Sequence, residues 1–125
     1  RAAFDQRVPG IGAQLPVAFG SDSPVEPVDV WSGIAAAVTR QGADGQPAGG
    51  WMPQERIGRQ QALAGFTAAG AYAGKAEGRF GSLAEGEWAD FLFASADPLE
   101  IPDSQIRELR VEQTWIAGVR VYERD

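Results

Sequence analysis

The stretch Leu15-Pro16-Val17-Ala18-Phe19-Gly20-Ser21-Asp22-Ser23-Pro24 decides how the rest of the chain is read. Its apolar run, 15–20, is short and continuous, the pattern of a strand buried on both faces as in a parallel sheet. The run stops at Ser21-Asp22-Ser23-Pro24, a dense turn signal. Asp29 then precedes Val30-Trp31-Ser32-Gly33-Ile34-Ala35-Ala36-Ala37-Val38-Thr39-Arg40. Asp29 is the expected N-cap of a helix there, with Trp31, Ile34 and Val38 spaced to line one face. The unit reads as strand, loop, helix.

Outward from this unit, residues 41–52 hold four glycines and a proline among small polar residues. That composition predicts an exposed loop, long enough to serve at the mouth of a site. Pro53 suits the first turn of a second helix, with Glu55 near its positive end, running through Ile57, Leu63 and Phe66. The Ala/Gly-rich run from Phe66 to Ala73 continues or restarts that helix and favours close approach of another backbone, with Gly74 ending or kinking it.

From Gly81 the period changes to two. Ala89-Asp90-Phe91-Leu92-Phe93 reads as a strand and Asp97-Pro98 as the turn after it. A short helix is expected over 102–109, capped by Asp103 or Ser104. A hairpin follows over 111–122, in which Val111, Gln113 and Trp115 share one face and Glu112, Thr114 and Ile116 the other. Its turn is Ala117-Gly118. Alanine resists the positive φ that a type I′ turn requires, so a type I turn with Gly118 in a left-handed bulge position is expected. Phe91, Phe93 and Trp115 are expected in the core.

The shift at 78–81 marks a candidate boundary between residues 1–80, of α/β character, and residues 81–125, mostly antiparallel β. About three strands cannot bury both faces of a sheet by themselves, so the second part is expected to need sheet partners from elsewhere in a longer polypeptide. The opening Arg1-Ala2-Ala3-Phe4, with no initiator Met or targeting character, fits the same expectation of a fragment.

Composition narrows the chemistry. The 125 residues are 44% hydrophobic and 22% charged, ordinary for one globular domain. Net charge is −6 and lysine occurs once, so neutralising a phosphate backbone has no source and nucleic acid is a poor partner. No apolar stretch approaches the ~20 residues that cross a bilayer. Zero cysteines exclude disulfides and thiolate metal sites and are compatible with the cytoplasm. Zero histidines weigh more, because the chain then offers neither an imidazole base nor an imidazole ligand. It is expected to bind no divalent metal tightly by itself.

Several segments carry a resemblance by their order and spacing: Val17-Ala18-Phe19-Gly20-Ser21-Asp22-Ser23-Pro24-Val25, Gly33 through Arg40, Glu55-Arg56-Ile57, Ala62-Leu63, Phe66-Thr67, Ala71-Tyr72-Ala73, Glu77, Gly81-Ser82-Leu83, Gly86 and Ala89-Asp90. Together they resemble the tail of the amidohydrolase superfamily. The similarity is greatest to its family 3 branch, the YtcJ-like and N-substituted formamide deformylase-like metal-dependent hydrolases, and covers nearly the whole chain from about Pro16.

The resemblance implies an α/β plus β architecture: the C-terminal end of a (β/α)8 TIM barrel, its last strand and following helices, then part of a small β-sandwich. It implies hydrolysis of a C–N, amide-type bond by metal-activated water, with a divalent metal, zinc, in the full-length parent. Asp22 becomes the catalytic candidate and a possible metal ligand, the remaining ligands lying upstream. A carboxylate at the C-terminal end of a barrel strand is where this fold places chemistry, and one within reach of metal-activated water can accept its proton.

Other readings of the same residues stand beside these. Asp22 between two serines and before a proline is equally a turn former. Arg40 either faces a substrate carboxylate or binds helix-end carbonyls, and Trp51 either walls a substrate pocket or covers a barrel rim. Expected partners are the remainder of the polypeptide and a small amide-type substrate, with a homodimer possible. The alternative function is a free-standing, non-catalytic binding module.

Overall fold

The computed structural model describes residues 16–125. Leu15 and the opening Arg1-Ala2-Ala3-Phe4 lie outside the described residues. Helix α1, Val30–Thr39, begins where its cap dictates. The Asp29 carboxylate accepts the Trp31 backbone N–H at 3.1 Å and the Ser32 hydroxyl at 2.7 Å, pairing a donor the helix itself leaves unpaired. Trp31, Ile34, Ala35 and Val38 are its buried residues, as the 3.6-residue period predicts. The helix stops at Arg40, which adopts left-handed φ of 58° and returns its N–H to Ala36 O.

The helix expected to run from Pro53 through Phe66 is not continuous. Pro53–Glu55 forms one 3-10 turn, with proline in its first turn and Glu55 behind it. The chain then extends through Arg56, and α2 runs Arg59–Phe66. Thr67, at φ −125° and ψ −96°, separates α2 from α3, Ala68–Ala73. Its hydroxyl donates to Leu63 O at 2.8 Å, and its carbonyl accepts the N–H groups of Gly70 and Ala71. A threonine that bonds backward into the preceding turn offers the chain an alternative to continued helix. Gly74 ends α3, as expected. Gly81, at φ +102°, passes so close to α3 that an added Cβ would lie 2.9 Å from Ala71 Cβ, which is the close backbone approach the Ala/Gly run foreshadows.

A single three-stranded antiparallel sheet, in order β1-β2-β3, is found among the described residues. It comprises β1 Phe91–Ala94, β2 Val111–Ile116 and β3 Val119–Glu123. Phe91 pairs with Trp115 and Leu92 with Thr114, so the expected alternation of β2 is realised. The turn corrects the expectation. Ala117 and Gly118 both have positive φ, 49° and 76°, as in a type I′ turn, and Ile116 pairs directly with Val119. The cause lies 27 residues upstream: Asp90 Oδ1 accepts the Ala117 N–H at 2.7 Å and Ala89 O accepts the Gly118 N–H at 3.0 Å.

The segment 16–20 forms no ladder, contrary to the expected strand. A strand needs neighbours that pair its backbone and cover its faces, and the described residues supply neither: Ala18 and Gly20 are exposed and Pro16, Val17 and Phe19 only half-buried. Phe93 is a further correction: it is 53% exposed. Phe91 and Trp115 are half-buried and stack with centroids 5.6 Å apart and planes at 11°. Every residue of β3 is exposed.

The core instead sits between α1, α2 and a 3-10 helix over Asp103–Glu108, joining Trp31, Ile34, Ala35, Val38, Ile57, Ala62, Ile106 and Leu109. That 3-10 helix has Pro102 as its N-cap residue, with no side-chain cap from Asp103 or Ser104. Asp103 is taken by Arg59, whose Nε donates to it at 2.9 Å while the same guanidinium reaches Pro98 O and Leu99 O. Arg107 donates to Ser32 O and Gln41 O, tying the 3-10 helix along α1. The Trp31 indole nitrogen is buried without a hydrogen-bond partner among the described residues, at a cost of about 1–3 kcal/mol.

Candidate functional site

Asp22 is exposed and takes left-handed φ of 51°, a conformation aspartate tolerates better than most residues. Its turn is closed by backbone bonds from Val25 N–H to Asp22 O at 2.9 Å and from Glu26 N–H to Ser21 O at 3.2 Å, around a cis Ser23–Pro24 peptide. The backbone therefore makes the turn. No hydrogen bond to the Asp22 carboxylate is found among the described residues.

What holds this turn is three residues upstream. Phe19 N–H donates to Gly65 O on α2 at 2.9 Å, and the Phe19 ring meets the Phe66 ring edge-on, centroids 5.6 Å apart. The ring lies over the Gly65 α-carbon: a Cβ there would come 2.7 Å from Phe19 Cε2 and 3.0 Å from Cγ. Phe66 is seated the same way on α1, where a Cβ on Gly33 would lie 2.7 Å from its Cζ.

Arg40 and Trp51 are brought together, at the other end of α1 from the Asp22 turn. The Arg40 guanidinium carbon lies 4.9 Å from the Trp51 ring centroid, its Nε donates to Trp51 O at 3.1 Å, and Trp51 N–H donates to Arg40 O at 2.8 Å. Arg40 thus binds a loop carbonyl and not those of the last helical turn. Arg56 donates to Gly49 O, and Gly50 sits against Thr39 O, too near for any side chain. The 41–52 loop is exposed as expected, yet pinned along its length, and Trp51 is 61% exposed. Ten residues of α1 place about 15 Å between the Asp29 cap and Arg40.

Sequence reasoning missed a groove of about 560 Å³ between α3 and the sheet, walled by Phe66, Ala71, Phe80, Leu83, Leu92 and Ile116 among others. Its only signals were the small residues of α3 and the exposed Leu83. No group of three or more His, Cys, Asp or Glu gathers among the described residues. No helix among them is long and apolar enough to cross a membrane.

Comparison with known proteins sets this geometry in context. The model of the amidohydrolase family matches residues 11–122. YtcJ of Bacillus subtilis, named an amidohydrolase, is 36% identical over 107 residues, covering 86% of this chain and 20% of that protein. The N-substituted formamide deformylase of Arthrobacter pascens is 30% identical over 114 residues, covering 91% and 20%. An amidohydrolase crystal structure from Thermotoga maritima superposes with a TM-score of 0.62 at 23% identity over 89% of this chain and 24% of that one. The chain spans a fifth of the length of the two sequence relatives. With a family match over nearly all its residues, the chain belongs to the amidohydrolase family.

Proposed function

We propose that this chain is the C-terminal part of a metal-dependent amidohydrolase that breaks a C–N bond of amide type, and that Asp22 is its proton-transferring carboxylate. The observation that carries the proposal is an exposed carboxylate, with no hydrogen-bond partner among the described residues, held in a backbone-closed turn in a chain matched to the family across 11–122. In this reading 16–20 ends the last strand of a (β/α)8 barrel, whose chemistry sits at the C-terminal strand ends. Residues 81–125 form part of a small β-sandwich. The exposure of β3 supports that assignment, because a sheet this small needs a covered face.

The donor set fits a metal only as one contributor. Asp22 would offer a single carboxylate, and the histidine ligands would come from the remainder of the polypeptide, since this chain has none. A bound divalent metal, zinc in this proposal, would lower the pKa of water toward ~7. Asp22 then accepts the proton at a carboxylate oxygen as water attacks the carbonyl carbon, and returns it to the leaving nitrogen. Gly20 and Ser21 beside it are small enough to let a substrate carbonyl approach. Arg40 spends its hydrogen bond and ring contact on Trp51, which supports a loop-holding role for the pair over direct substrate binding.

The test uses the full-length protein and N-substituted formamides, the class named for one relative. Dialysis against a chelator is expected to abolish hydrolysis, and added zinc to restore it. Undiminished hydrolysis by metal-depleted protein would overturn the proposal.

A further inference from the structure

We infer that Gly65 and Phe19 are positioning residues for Asp22: the bare α-carbon of Gly65 sets how closely the segment bearing Asp22 seats on α2. The inference rests on the proposed role of Asp22 and adds residues that family membership does not assign. Two contacts converge three residues from the carboxylate. The Phe19 N–H to Gly65 O bond fixes the backbone, and the ring above Gly65 fixes the distance. Phe66 relays that seat to α1, because its own ring tip occupies the space a Gly33 side chain would need. The segment bearing the Asp22 turn is thus seated on α2 and, through Phe66, on α1, with two phenylalanine rings as spacers and two glycines as their seats.

An alanine at position 65 would drive Cβ into Phe19 Cδ2 and to 2.7 Å from Cε2, and ordinary contact would require the segment to lift by about 1 Å or more. A displacement of that size at a catalytic group costs on the order of 10²-fold in rate. Phe19 cannot turn aside without giving up its edge contact with Phe66.

The experiment is steady-state kinetics on the full-length protein carrying Gly65→Ala, Phe19→Ala, both together, and Gly65→Ala in an Asp22→Asn background. Thermal melting and hydrogen exchange at the Phe19 amide are followed in parallel. Gly65→Ala is expected to lower kcat about 10²-fold with little change in KM. Adding Phe19→Ala removes the clash while keeping the backbone donor, and should recover at least about tenfold of that loss and restore protection of the residue-19 amide. In the Asp22→Asn background, Gly65→Ala should cost nothing further. Wild-type kcat in Gly65→Ala would overturn the inference, as would a double variant no better than the single one, or a full additional loss in the Asp22→Asn background. Asp22→Asn retaining turnover would instead defeat the reading on which the inference rests, while exchange at the residue-19 amide would still report whether Gly65 sets the seat.

Discussion

Ile106 is the largest fully buried side chain among the described residues, and it reaches the core from a six-residue 3-10 helix with no side-chain cap of its own. It packs with Trp31, Ile34, Ala35 and Val38 of α1, more than 60 residues away in sequence. Truncating it to alanine leaves a cavity that local collapse cannot fill, because Arg107 next to it is fixed to Ser32 O and Gln41 O. Ile106→Ala is expected to cost about 2–5 kcal/mol, read as a lower midpoint in urea unfolding with an unchanged slope. An unchanged midpoint would show that the contact with α1 is slack. At this scale the sequence was partly legible. Asp29 as cap and the Trp31, Ile34 and Val38 face followed from spacing alone. The partners of Arg40, Arg59 and Arg107 did not, because each arginine bonds a carbonyl or carboxylate brought near only by the fold.

The hairpin shows the same division at the level of elements. Its strands and alternation were legible, since side chains alternate faces with period two. The turn type was not. Alanine at left-handed φ costs about 1–2 kcal/mol relative to its ordinary conformation, and here the Asp90 carboxylate from before β1 offsets that cost by accepting the Ala117 N–H. Replacing Ala117 with asparagine, which suits the first position of a type I′ turn, should raise stability by roughly 0.5–1 kcal/mol without moving the strands. Thermal melting is the check, and a fall in the midpoint would mean that the turn geometry depends on alanine. The break at Thr67 is the restart that the sequence leaves open beside a continuous helix, and for a different reason. An Ala/Gly run carries too little hydrophobic contrast to show where one helix face ends and the next begins. The apolar run 15–20 reads as a buried strand, yet among its described residues Ala18 and Gly20 are exposed and Pro16, Val17 and Phe19 half-buried. Over 16–20 it is held by α2 through Phe19, without sheet neighbours.

At the scale of the whole molecule, two features point beyond the described residues: a sheet exposed along β3 and an apolar groove beside it. Both suit a chain that spans a fifth of the length of its relatives. The proposed chemistry depends on the same incompleteness, since one carboxylate here must meet ligands supplied by the rest of the polypeptide. The most direct test of that claim is the turnover number of the full-length protein with Asp22→Asn, with circular dichroism confirming the fold. The substitution keeps the shape of the turn, whose bonds run through the backbone, and removes the basic oxygen. A loss of about 10²–10⁴-fold in turnover is the result expected for removing a general base. A folded variant that keeps more than about a tenth of wild-type turnover, well above that range, would show that Asp22 only shapes a turn.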